Sequence, residues 1–143
     1  MNVAAILKEK GRAVYTASPD APVRAIAREL SNHGVGCIVL IDKTRAICGI
    51  VSERDIVQAV AKGGPKTLEA PVSEIMARDV IVCHETDTIE QLMAEMTVQR
   101  IRHIPVVEND KLAGIVSIGD VVKHRIAEAE MEAAAMRAYI ATG

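Results

Sequence analysis

Val23, Ile26, Ala27 and Leu30 recur at the interval of one helix face, and Gly34 follows where a C-terminal cap belongs, so a helix of about three turns is predicted there. Gly36 to Asp42, rich in β-branched residues, and Ala46 to Val51 read as the two strands of a tight hairpin turning at Lys43-Thr44-Arg45. A second helix starts at Ser52, carries Ile56, Val57 and Val60 on one face, and stops at Gly63-Gly64-Pro65. The run Cys37-Ile38-Val39-Leu40-Ile41 is continuous rather than alternating, which places both faces of that strand in a core.

The same order of elements then returns. Gly49-Ile50-Val51-Ser52-Glu53-Arg54-Asp55-Ile56-Val57 comes back 65 residues later as Gly114-Ile115-Val116-Ser117-Ile118-Gly119-Asp120-Val121-Val122. Upstream, Cys37 to Asp42 falls on His103 to Glu108, and Val23, Ile26, Ala27 and Leu30 fall on Ile89, Leu92, Met93 and Met96, at an offset of 66. The second copy predicts a helix from about Thr88 to Gln99, a hairpin turning at Asn109-Asp110, and a final helix from Ser117. A unit of about 60 residues buries only about 60% of its unfolded surface and is marginal alone, so the two sheets are expected to pair face to face and complete the core. The expected fold is α/β (α+β), two β-α-β-β-α repeats packed sheet to sheet with pseudo-twofold symmetry. The divisions read as a lead-in helix at 1–12, a first repeat at 13–64, a linker at 65–71, a second repeat at 72–126 and a helical extension at 127–143.

Composition narrows the function classes. The chain has no Trp or Phe and only two Tyr, so its core is aliphatic and stacking of nucleic-acid bases on aromatic rings is not expected. Lys and Arg number 17 against 19 Asp and Glu, a net charge of −2 that gives no footprint for duplex nucleic acid. No apolar run approaches a membrane span and the N-terminus lacks a secretory pattern. Cys37, Cys48 and Cys83, odd in number and without metal-ligand spacing, are expected as reduced core thiols in a cytoplasm. Cys83-His84-Glu85 is too compact to surround an ion, so no metal is expected. No Gly-rich phosphate loop and no nucleophile with a base and an orienting partner stand out, so the chain does not read as an enzyme.

The repeated Gly-Ile-Val-Ser-x-x-Asp, with Arg100-Ile101-Arg102-His103-Ile104-Pro105-Val106-Val107 ahead of the second copy, resembles a tandem pair of CBS domains, a Bateman module, over roughly residues 8 to 126. The resemblance implies an adenine nucleotide (AMP, ADP or ATP) bound in the cleft between the units, its ribose and phosphate held by the Ser and Asp of each motif. These are Ser52 with Asp55, and Ser117 with Asp120. The physics is sound, because a carboxylate accepts from vicinal ribose hydroxyls and free N–H groups at a helix start attract phosphate. Ser-x-x-Asp at a helix start is equally a capping box, which needs no ligand.

Arg102 and His103 stand where the family carries phosphate-contacting basic residues, whereas the first copy has Gly36 and Cys37 there. The better mononucleotide site is therefore expected on Ser117, Asp120, Arg102 and His103, with Tyr15, Val35, Gly36 and Cys37 bracketing its adenine. The symmetry-related site would use Ser52 and Asp55, with Arg54 for charge and Ile81 and Ile101 around the base. The resemblance also implies a homodimer acting on an unidentified regulated protein. NAD(H) spanning the cleft, or a ligand-free dimerisation and interaction module, are the alternative readings. The tail beyond Ile126 is rich in Ala and Glu and predicts helix, although Ile126, Met131 and Met136 make no regular heptad.

Overall fold

The computed structural model describes residues 1–142. The elements run α1 (Val3–Lys10), β1 (Thr16–Ala17), α2 (Val23–His33), β2 (Cys37–Ile41), β3 (Ile47–Ser52), α3 (Glu53–Gly63), α4 (Ile89–Gln99), β4 (His103–Glu108), β5 (Lys111–Ser117) and α5 (Ile118–Thr142). Short 3-10 turns at Pro65–Glu69 and Val72–Glu74 join the halves. The two hairpins are antiparallel, with Val39 opposite Ile50 and Pro105 opposite Ile115. Asn109 and Asp110 both take positive φ, the conformation a two-residue hairpin turn requires.

The halves differ at their lead strands. β1 adds to β2 in parallel, with Thr16 opposite Val39, and makes a three-stranded sheet. In the second half the expected lead strand shrinks to one parallel bridge, Cys83 to Val106, leaving two strands. The reason is local. The Glu85 N–H donates to the Glu108 carboxylate instead of to a strand carbonyl, and the Asp87 carboxylate accepts from the His84 N–H, which turns the chain out of the sheet.

Each half has its own aliphatic core, and the cores match position by position. Val23, Ile26, Leu30, Ile38, Leu40, Val51 and Ile56 fill the first, and Ile89, Leu92, Met96, Ile104, Val106, Val116 and Val121 fill the second. What completes each core comes from the wrong side of the sequence. Val3, Ile6 and Leu7 of α1 sit in the second core, and Val72 and Met76, which precede the second half, sit in the first. Main-chain hydrogen bonds fix the exchange: Val3 N–H donates to Asp87 O at 3.0 Å and Ala4 N–H to Glu85 O at 3.0 Å, while Val72 N–H donates to Ala21 O at 2.8 Å.

This exchange accounts for the repeated glycine. A Cβ on Gly114 would stand 2.8 Å from Leu7 Cδ2, and one on Gly49 would stand 2.6 Å from Met76 Sδ. Both strands need glycine because a lead-in side chain lies flat on them. The two units therefore pack as a pseudo-twofold pair whose lead segments are traded.

Candidate functional site

At both strand-to-helix junctions the capping box is formed. Ser52 Oγ accepts from the Asp55 N–H at 3.1 Å and Asp55 Oδ2 accepts from the Ser52 N–H at 2.8 Å. Ser117 and Asp120 repeat this at 3.2 and 2.9 Å. These bonds use the serine oxygen as acceptor and one carboxylate oxygen, so each serine O–H and each second carboxylate oxygen stay free to meet a ligand. The cap and the ligand site are thus compatible on the same residues.

Two cavities open between the units, on either side of a wall made by Gly36, Cys37 and His103. The wall is tight: a Cβ on Gly36 would stand 3.2 Å from His103 Cε1. Burial, reinforced by the Lys10 ammonium, lowers the His103 pKa below the usual imidazole value, so the ring is neutral at physiological pH. Burial pushes the Cys37 thiol up to about 12, and Cys83 likewise to about 12, so neither is a nucleophile.

The first cavity, about 270 Å³, is lined by Ser52, Glu53, Arg54 and Asp55 of the first unit and by Arg100, Ile101 and Arg102 of the second. The second, about 350 Å³, is lined by Ser117 and Ile115, by Lys10 of α1, and by Val14, Tyr15 and Val35. Tyr15 is held by stacking on His33, with ring centroids 3.8 Å apart. Arg102, expected beside Ser117 and Asp120, faces the first cavity instead. It stands in the bend before β4, whereas His103 opens that strand opposite Ser117 and lines both cavities. Ile81, expected at the first base pocket, is half-buried and lines neither cavity.

Two cationic residues were not foreseen. Arg100 ends α4 in the left-handed conformation at φ 55, where the first unit has Gly34 at φ 62. A side chain there costs about 1 kcal/mol relative to glycine, and it sets a third guanidinium on the first cavity. Among the described residues, Arg54, Arg100 and Arg102 take part in no ion pair. The alignment of Gly34 with Arg100 was the available signal.

Lys10 is the second. Its Nζ donates to Ile115 O at 2.9 Å and to Asp120 Oδ2 at 2.7 Å. Ile50, which corresponds to Ile115, is instead bridged backbone to backbone with Ala77. Burial raises the Asp120 carboxyl, but the hydrogen bonds from Lys10 and Ser117 and the lysine's charge outweigh it, and the pKa falls below the ordinary carboxylate value. A depressed folded pKa adds stability that is fully present above the unfolded value near 3.9 and is lost as pH falls through the folded value. Both groups are partly exposed, so the pair contributes less than about 1 kcal/mol. Lys10→Met should therefore lower the melting temperature slightly at pH 7, with the difference from the parent closing as pH falls through the depressed folded pKa of Asp120. Thermal scans across that range check it, and a difference that grew on acidification would contradict the ion pair.

No group of three or more His, Cys, Asp or Glu side chains suited to an ion comes together among the described residues. Nor is any helix there long and apolar enough to cross a membrane.

The family model for the CBS domain matches residues 8–62 and again 72–127. A solved CBS-domain containing protein of Agrobacterium tumefaciens is 45% identical, with a TM-score of 0.85 over 87% of this chain and 99% of that one. A CBS domain protein of Pyrobaculum aerophilum, solved with AMP, is 31% identical over 84% of this chain and 89% of that one, with a TM-score of 0.75. A CBS domain pair solved with 5′-methylthioadenosine and S-adenosyl-L-methionine is 25% identical over 90% of this chain and 98% of that one, with a TM-score of 0.80. The match spans 66% and 71% of the length of the first two curated relatives.

Proposed function

The chain belongs to the CBS-domain family, and from that premise we propose that it is a regulatory module binding an adenine nucleotide in the cleft between its units, with the first cavity as the principal site. The observation that carries this reading is the meeting of Ser52 and Asp55 with three guanidinium groups, Arg54, Arg100 and Arg102, around one cavity that also holds an apolar wall at Ile101. The Asp55 carboxylate takes the ribose hydroxyls, Ile101 takes one face of the base, and the arginines take the phosphates. The related structures with AMP and with adenosine-derived ligands support the choice of base.

The second cavity is the weaker site. Asp120, the carboxylate of the motif that opens on it, does not line it and is already engaged by Lys10, and Lys10 is the cation on its lining. Three free guanidiniums facing one cavity favour ADP or ATP over AMP there, because each added phosphate gains a charge-assisted partner. The module is expected to act as a homodimer on a regulated partner protein, and its three free thiols suit a reducing cytoplasm.

Isothermal titration of the full chain with AMP, ADP, ATP and NAD⁺ tests the reading. Binding of one of the adenine mononucleotides, with affinity rising with phosphate number, is expected. Tight binding of NAD⁺ alone would replace the mononucleotide by a dinucleotide. No heat and no rise in melting temperature at millimolar concentrations of any of them would leave only a ligand-free interaction module.

A further inference from the structure

The end of α5 has no neighbours of its own. Val121 and His124 are buried against the second unit and Ala127 and Glu128 are half-buried, but every residue from Ala129 to Thr142 is exposed. At about 1.5 Å per residue that segment projects roughly 20 Å from the body. A helix of that length is marginal in water without a partner.

Its apolar residues are not scattered. Val122, Ile126, Ala129, Ala133, Met136 and Ile140 follow at alternating intervals of four and three, the d and a positions of a heptad seam, and Val122, Ile126, Met136 and Ile140 are 46%, 54%, 61% and 71% exposed. Met131, which obscures the repeat in the sequence, lies off the seam. The flanking e positions are Lys123, Glu130 and Arg137, and the g positions are Arg125, Glu132 and Tyr139.

We propose that this stripe docks the same helix of a second copy in a short, parallel, in-register two-stranded coiled coil. Charge selects both the occupant and the direction. In a parallel pair each g residue meets the partner's e residue five positions on, so Arg125 meets the partner's Glu130 and Glu132 meets the partner's Arg137. Twofold symmetry repeats both, and all four pairs attract. An antiparallel pair centred on residue 131 also covers the six seam positions, but it sets Glu130 and Glu132 each against itself and Lys123 against Arg137. Shifting the antiparallel pair by one heptad in either direction eases the charges but pairs only four of the six seam positions with one another, leaving out Met136 and Ile140 one way and Val122 and Ile126 the other. The two alanines in the middle of the seam let the helices approach closely. This surface is independent of the ligand reading and gives the expected homodimer its contact.

Sedimentation equilibrium of the full chain tests it. A species of twice 15.3 kDa is expected at micromolar concentration, and a 15.3 kDa species at all concentrations would overturn the proposal. Ala133→Asp, at an exposed position outside both cores, should raise the dimer dissociation constant at least tenfold while circular dichroism of the body is preserved. A dimer unmoved by that change would belong to another face and would equally overturn it. Arg125 also pairs with Glu128 of its own helix at 3.1 Å, so the charge test uses the other pair. Glu132→Arg alone should weaken the dimer several-fold and the double change Glu132→Arg with Arg137→Glu should restore it. Met136→Cys should oxidise to a symmetric cross-link at residue 136. Failure of restoration or of the cross-link in a dimeric sample would reject the parallel arrangement.

Discussion

Leu7→Ala is expected to destabilise the folded chain by about 2–5 kcal/mol, the range for a fully buried leucine whose site cannot collapse. Leu7 is 1% exposed, its Cδ2 would lie 2.8 Å from a Cβ on Gly114, and its neighbours in the core come from α4, β4 and β5, more than half the chain away. Glycine at 114 offers no side chain to fill the void, so little relaxation can offset the loss. Denaturant unfolding of the parent and variant measures the difference. Lys8→Ala, one residue along on the exposed face of the same helix, serves as the control and should stay within about 0.5 kcal/mol. If the two variants were equally mild, α1 would be an appended helix and not part of the second core.

The second large effect is on binding. Asp55→Ala should weaken the affinity for the adenine nucleotide by roughly 10- to 100-fold, the scale of losing a charged hydrogen-bond partner, 1.5–3 kcal/mol. Asp55 also closes the cap on α3, so part of any loss could arise from a frayed helix. Asp55→Asn separates the causes: the amide oxygen still accepts from the Ser52 N–H, so helix stability is largely kept while the ionic contact to ribose is gone. Asp120→Ala should cost less affinity, because its carboxylate is shared with Lys10 before any ligand arrives. Titration calorimetry of the three variants decides the order, and a larger loss at Asp120 would move the principal site to the second cavity.

Much of this molecule was readable before any coordinates. The 3.6-residue spacing of Val23, Ile26 and Leu30, the unbroken strand runs and the repeat of Gly-Ile-Val-Ser carry the elements and the paired architecture, since each is local or is copied within the chain. The lead-in exchange was less visible, because it concerns which copy a short segment packs against. Its trace is nonetheless present: Val3-Ala4-Ala5-Ile6-Leu7 and Val72-Ser73-Glu74-Ile75-Met76 share one apolar pattern, and each half has a glycine that must receive a large side chain.

The grouping of Arg102 failed for a different reason. Alignment of the halves places a residue along the chain, but which cavity it lines is set by the local backbone, and Arg102 stands in the bend before β4 on the first cavity while His103, opening the strand, lines both. Lys10 was hidden because no pattern along the chain brings the end of α1 to Asp120. Only burial of Val3, Ile6 and Leu7 in the far core carries the ammonium there.

The traded lead segments bear on how the chain is made. Leu7 is synthesised long before its seat, because Gly114 and Val116 follow more than 100 residues later. Until then α1 lacks its core, and the first half likewise waits for Val72 and Met76 before it can close. The two halves are therefore not folded one after the other in the manner of beads on a string. Closure of the second half depends on recapturing the α1 residues made well before it, a contact of very large sequence separation that should dominate the folding time.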